Sequence, residues 1–163
     1  MSENYAQIMS TAKEQENLLR FEHFTADDAW ELGSFLVSRV RSAGIDMAVS
    51  IRKLNGHILF QHCTQGTTLS NQRWMNRKFN TVALTEGSSL RAWANLCNRD
   101  QTAQDQGVSP EEYAYCGGGF PICLTGGELV GAVIVSNLPH REDHRFVVSA
   151  LADYLHRDAV PFI

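Results

Sequence analysis

Apolar residues recur every three or four positions in several parts of the chain, which is the spacing of an amphipathic helix. The first such stretch lies in residues 1–20, where the apolar positions are Tyr5, Ile8, Met9, Ala12, Leu18 and Leu19. We expect this stretch to form a helical arm that docks on the following domain or on a neighbouring subunit. A second helix should begin at Thr25, whose hydroxyl can cap free amides, and should end at Gly44.

Strict alternation of apolar and polar residues follows, and it predicts a strand. Met47, Val49 and Ile51 supply its apolar side chains. The Asn55-Gly56 pair is a strong hairpin signal, so we expect residues 58–63 to return as an antiparallel strand.

A second hairpin is predicted near the carboxyl end. Residues 122–124 and 129–135 are apolar and flank a tight turn at Gly126-Gly127. Because residues 129–135 are apolar on both sides, this strand should be covered on both faces and should be central in its sheet.

Further helical patterns lie between and after the hairpins. Ser70 should cap a third helix over residues 70–86, and a shorter helix should follow over residues 88–97. After a polar connection, Pro110 suits the first turn of a short helix. The last helix should begin near His140.

This order of elements indicates an α+β fold. Antiparallel hairpins separated by helices exclude a doubly wound parallel sheet and favour an antiparallel sheet with flanking helices. At 163 residues the chain has the length of one domain, which we place at residues 21–163 after the arm of residues 1–20.

Composition limits the classes of partner and the cellular compartment that we expect for this protein. A net charge of −4 and a pI near 5.8 are unlike the basic surface of a nucleic-acid-binding protein. We expect no membrane span and no export signal, and hence a cytoplasmic protein. The four cysteines have no zinc-type spacing and should be reduced thiols.

Lys78 interrupts the apolar face of the third helix, which it shares with Trp74, Met75 and Val82. A lysine on a face that packs inward needs water or an anion for its ammonium group. One interpretation is a lysine at the edge of the core whose ammonium reaches solvent. The other is an anion-binding lysine in a pocket, assisted by Arg77.

Three consecutive glycines, residues 117–119, precede Phe120. Consecutive glycines let backbone amides approach a ligand or converge on an anion. The run lacks the lysine and the following helix of a phosphate-binding loop. It is therefore either a ligand contact or a bulged entry into the next strand.

Polar side chains are concentrated where the central strand meets the last helix, in residues 136–144. His140, Asp143 and His144 share the helix face that should pack inward, where they either satisfy structural hydrogen bonds or contact a ligand. The glutamate of helical zinc sites is absent, so we predict no metal site. His62 lies on an apolar strand face and is either a core histidine or a ligand. No complete catalytic motif is present.

Several motifs taken together resemble the haem-degrading-domain family. They are residues 28–33, residues 77–82, residues 117–122, and the run from Gly131 to His144 that contains Val135, Ser136, Leu138, Pro139 and Asp143. The resemblance covers about residues 20–157 and is nearest to the branch called uncharacterised protein family (UPF) 0303. Relatives include the glycolate-operon G protein, extracellular haem-binding sensor partners and the carboxy-terminal domain of some cobalamin adenosyltransferases.

The resemblance implies a profilin-like antiparallel sheet of about five strands and assembly as a dimer or larger ring. It also implies haem or another small ligand in a pocket between subunits. The matching pocket positions are Lys78, Gly118, Gly119, Phe120, Ser136, Asp143 and His144. Relatives often have Ser-Gly where this chain has Ser136-Asn137, which adds a side chain beside the pocket.

Three hypotheses follow. The leading one is an oligomeric binding protein that holds haem or another small anionic ligand, with weak haem-degrading activity as an extension. Haem would need an axial ligand, for which His62, His140 and His144 are the candidates, while Lys78 and Arg77 would meet the propionates. The alternatives are an accessory protein or enzyme for a small carboxylate or aldehyde, and an assembly protein without a ligand.

Overall fold

The computed structural model describes residues 3–163, so residues 1 and 2 of the predicted arm lie outside the described residues. The helices are α1 (Tyr5–Leu18), α2 (Ala26–Ala43), α3 (Leu69–Thr85), α4 (Ser89–Asn98) and α5 (His140–Tyr154). The strands are β1 (Ala48–Lys53), β2 (Ile58–Cys63), β3 (Gly119–Cys123) and β4 (Leu129–Ser136).

Local capping explains where the helices begin and end. Thr25 and Asp28 form a reciprocal capping box at the start of α2, and Gly44 ends that helix with a φ of 64°. The prediction that Ser70 caps α3 is wrong. Thr68 occupies the cap, because Asn71 can bond back to the Thr68 amide and close a second capping box.

The strands form one antiparallel sheet in the order β2-β1-β4-β3, which confirms the predicted class and the central position of β4. Within residues 3–163 the sheet has four strands rather than about five. A fifth is reduced to one parallel bridge between Phe21 and Leu124 at the free edge of β3. Residues 22–25 then lead from this bridge into α2.

The two faces of the sheet carry different helices. Val49 and Val133 belong to the large core that packs against α2 and α5. Ala48 and Ile134 point to the other face, which packs against α3. Since side chains alternate between faces along a strand, neighbouring residues in the regular parts of β1 and β4 belong to different helical layers.

Helix α1 lies against α4 and is held there by polar contacts. Glu16 accepts hydrogen bonds from the Ser88 amide at 2.7 Å and from Arg91 Nε at 2.9 Å. Gln15 is buried and donates to the Pro161 carbonyl. These contacts tie both ends of the chain to the domain.

The segment between α4 and β3 differs from its prediction. The short helix predicted at Pro110 is wrong, because the segment forms turns there and has a short 3₁₀ helix at Gln104–Gln106 instead. None of the helices in residues 3–163 is long and apolar enough to cross a bilayer.

Candidate functional site

A cavity of about 560 Å³ opens on the α3 face of the sheet. Its walls come from the loop before α3, from α3 and α4, and from the junction between β4 and α5. The lining residues are Gly66, Thr68, Ser70, Asn71, Trp74, Lys78, Trp93, Cys116, Ser136, Asn137, Leu138, His140 and Asp143. The volume is in the range of small-molecule and cofactor sites.

A buried ion pair forms part of the cavity wall. Lys78 Nζ lies 2.8 Å from Asp143 Oδ2 and donates to the Val135 carbonyl at 2.9 Å. Both side chains are almost fully buried. The Asp143 carboxylate also accepts from the Leu138 amide at 3.0 Å. Burial raises the pKa of the Asp143 carboxyl, against the opposing effect of the Lys78 ammonium.

The position of Lys78 differs from both interpretations of the sequence. Its ammonium does not reach solvent, and its charge is balanced by Asp143 rather than left free for an anion. An ammonium has three N–H donors, and two of them are used by protein oxygens. Within the described residues the third donor has no partner, so Lys78 can still donate one hydrogen bond to a ligand.

His140 begins α5 and lines the cavity. The Gly117 amide donates to His140 Nδ1 at 3.2 Å. Burial, together with the charges of Arg141 and Lys78, lowers the pKa of His140, so the ring is neutral at pH 7. With Nδ1 accepting, the proton of the neutral ring lies on Nε2, and that nitrogen is a hydrogen-bond donor.

Two tryptophans and one cysteine complete the wall. Trp93 packs edge-on against Tyr5 at 5.5 Å and against His140 at 4.7 Å between ring centroids. Trp74 is stacked by Arg77, whose guanidinium carbon lies 4.2 Å from the ring centroid. Burial raises the pKa of the Cys116 thiol, which is therefore protonated at neutral pH. Sequence reasoning missed Trp93 and Cys116 as site residues, because neither belongs to a recognisable motif.

The predicted glycines lie behind the cavity wall, where backbone must come close to side chains. Gly118 has a φ of 121°, and a Cβ there would lie 2.6 Å from Lys78 Nζ. A Cβ on Gly119 would lie 2.7 Å from the Val82 side chain. These glycines therefore admit the Lys78 ammonium and α3 rather than line the cavity themselves.

Four other predicted residues lie away from the cavity. His144 is buried, and its Nε2 lies 2.8 Å from Gln15 Oε1. His62 pairs with Val49 and Phe120 pairs with Val133, so both side chains are on the α2 and α5 face of the sheet. Arg77 donates twice to the Pro110 carbonyl in an adjoining groove.

The structure thus brings together Lys78, Ser136, Asp143 and His140 from the predicted set. Of the three histidines considered as axial ligands of haem, His140 alone among the described residues lines the cavity. No group of three or more metal-binding side chains is found in residues 3–163.

The family model described as Haem degrading protein HbpS-like matches residues 24–152. A UPF0303 protein of Yersinia enterocolitica is 35% identical over 153 residues, which cover 93% of this chain and 90% of that protein.

Solved structures with the same fold are also found. The crystal structure of Ybr137w has a TM-score of 0.82 at 26% identity, covering 91% of this chain and 87% of the other. A PduOC:heme complex has a TM-score of 0.66 at 16% identity, covering 79% and 93%. At that identity the second likeness is one of fold.

Proposed function

The chain belongs to the HbpS-like haem-degrading protein family, and from that membership we propose that it binds haem in the cavity between α3, α4 and the β4–α5 junction. The observation that carries the proposal is the place of His140. It is a neutral, half-buried histidine in the wall of a cavity of cofactor size. The fold shared with a PduOC:heme complex supports the same ligand.

The lining residues fit haem in two respects. Haem needs an axial ligand and an apolar slot for its ring. His140 offers the nitrogen ligand, and the rings of Trp74 and Trp93 offer planar apolar surface. When bound, haem would supply iron-centred redox chemistry, whereas the residues of this chain would bind and orient it.

His140 cannot bind iron without a local change. Coordination by Nε2 requires the ring proton to move to Nδ1, and that displaces the hydrogen bond from the Gly117 amide. We expect loss of this bond to weaken binding by about fivefold, since a neutral hydrogen bond contributes about 1 kcal/mol net. Haem binding should therefore be of moderate affinity.

The propionates would not meet the predicted cations. Lys78 is paired with Asp143, and Arg77 is bound to the Pro110 carbonyl. The groove next to the cavity shares Ser70 and Trp74 with it and also contains Arg73. Arg73 is exposed and is the cation that we propose for the propionates.

Self-association is a further part of the proposal. Leu69 is 76% exposed and Trp74 is 39% exposed, and both line the groove that adjoins the cavity. A neighbouring subunit that covered these apolar side chains would enclose the open side of the cavity. This would put the ligand near a subunit interface.

Titration of the purified protein with haemin tests the proposal. A saturable, shifted Soret band with quenching of tryptophan fluorescence is the expected result. Trp93→Phe should reduce the quenching by bound haem, because Trp93 lies in the cavity wall. Spectra identical to haemin in buffer would contradict the proposal and would leave an assembly role without a ligand.

One observation favours a second candidate, a small carboxylate or carbonyl compound. The third Lys78 donor and the Nε2–H of His140 are both hydrogen-bond donors, and the Asp143 oxygens are already engaged. A donor-rich wall suits a ligand with oxygen acceptors. Short carboxylates that raise the melting temperature of the wild type but not of His140→Ala would support it.

A further inference from the structure

Asn137 adopts a backbone conformation that is unusual for any residue other than glycine. Its φ is 154°. Within residues 3–163 the other non-glycine residues with positive φ are Glu86, Asp100 and His156, and their φ values lie between 52° and 55°. Those values belong to the left-handed helical region that side chains tolerate, whereas 154° does not. A side chain is therefore kept at a position where glycine would be free of strain.

The carboxamide of Asn137 connects three parts of the chain. Its Nδ2 donates to the Asp46 carbonyl at 3.0 Å, and its Oδ1 accepts from Asn71 Nδ2 at 3.3 Å. Asp46 in turn accepts a hydrogen bond from the Gly66 amide at 3.0 Å. Asn137 thus ties the β4–α5 junction to the loop before α3 and to the start of that helix.

These contacts lie in the wall of the cavity. Gly66, from the loop before α3, and Asn71, from the first turn of α3, line the cavity, and so do Asn137, Leu138 and His140 of the β4–α5 junction. A side chain that joins two walls keeps them at a fixed distance. Backbone strain that persists at a cavity wall points to a role for the side chain there.

We infer that Asn137 is a specificity-determining residue, which holds the two walls together and limits the size of the ligand that enters the cavity. The inference rests on the proposed function in that the cavity is taken as the binding site. It goes beyond it in stating which side chain restricts the size of the ligand that the cavity admits, so that haem binds less tightly than it would without that side chain. A large ligand has to break the hydrogen bonds of Asn137, whereas a small one does not.

Two substitutions distinguish the effect of the Asn137 carboxamide from the effect of the backbone strain. Asn137→Gly removes both, and Asn137→Ala removes the carboxamide but keeps a Cβ at the unfavourable φ. Glu86→Gly is the matched control, because it relieves a positive φ at an exposed helix end away from the cavity. Asn137→Gly should melt at a higher temperature than Asn137→Ala. Equal melting temperatures would show that the backbone at position 137 is not strained, and this would contradict the inference.

Access to the cavity can be measured without knowing the ligand. In a Trp30→Phe/Trp74→Phe background, Trp93 is the one remaining tryptophan of the chain. Quenching of its fluorescence by acrylamide should increase in both Asn137 variants and stay unchanged in Glu86→Gly. If quenching is the same with and without the Asn137 carboxamide, the inference is wrong.

Haemin titrations distinguish a failure of the inference from a failure of the proposed function. Both Asn137 variants should bind haemin about fivefold more tightly than the wild type, the order expected when a net hydrogen bond no longer has to be broken. Equal affinities would contradict the inference and leave the haem proposal standing. Binding by the variants alone would contradict haem as the ligand of this chain and support the inference. If no form binds haemin, the haem proposal fails and acrylamide quenching decides on Asn137.

Discussion

The ammonium of Lys78 and the carboxylate of Asp143 lie 2.8 Å apart in the cavity wall, although 65 residues separate them in the chain. The pair joins α3 to the first turn of α5, and the Val135 carbonyl links it to the end of β4. It therefore fixes the relative position of the elements that carry the cavity. Its two charges are buried together, so each depends on the other.

Removal of one partner should destabilise the protein strongly. We expect Lys78→Met to lower the free energy of unfolding by about 3–5 kcal/mol, because it leaves a buried carboxylate without its counter-charge. Urea denaturation of Lys78→Met, Asp143→Asn and the double variant measures this. The double variant should lose clearly less than the sum of the two single losses. Additive losses would show that the two groups do not interact.

Acid should destabilise the fold through His144. Burial lowers the pKa of His144 to about 3, against about 6.5 in an unfolded chain. Between these two pKa values the unfolded state binds more protons than the folded state. The stabilising contribution of neutral His144 is therefore fully present above about pH 6.5, and it falls by about 1.4 kcal/mol per pH unit as the pH decreases.

Urea denaturation of the wild type and of His144→Gln between about pH 7 and about pH 5 tests this, because carboxylates remain largely ionised in that range. The wild type should lose stability as the pH falls, and His144→Gln should lose much less. Equal slopes for the two proteins would contradict burial of a neutral His144.

Much of the fold could be predicted because its signals are local. The capping role of Thr25, the end of α2 at Gly44 and the turn at Asn55-Gly56 each depend on residues adjacent in sequence. The central position of β4 follows from its apolar character on both faces. The sequence at Ser70 also suits a cap, but the reciprocal bonds of Thr68 and Asn71 place the cap two residues earlier.

The site was less predictable because it depends on contacts between distant segments. Lys78 and Asp143 are both exceptions to the apolar pattern of the sequence, but their partnership depends on how α3 and α5 pack. His62 and His140 look equally suitable as ligands in sequence. Only the register of β2 against β1 shows that His62 lies on the face opposite the cavity.

Self-association should depend on Leu69. Leu69 and Leu84 are both exposed on α3, but Leu69 alone of the two borders the groove beside the cavity. Leu69→Glu should shift the protein to smaller assemblies in light-scattering measurements, whereas Leu84→Lys should not. Each charge suits its end of the helix dipole, so neither should unfold α3. Unchanged assembly in Leu69→Glu would exclude this surface as the interface.

The most direct test of the haem proposal compares His140 with His62. His62 lies on the α2 and α5 face of the sheet, away from the cavity, and His140 alone of the two lines the cavity. Haemin titrations of the wild type, His140→Ala and His62→Ala should give a saturable Soret shift that His140→Ala weakens or loses and His62→Ala retains. A titration of His140→Ala indistinguishable from that of the wild type, or no saturable binding by the wild type, would contradict haem coordination in this cavity.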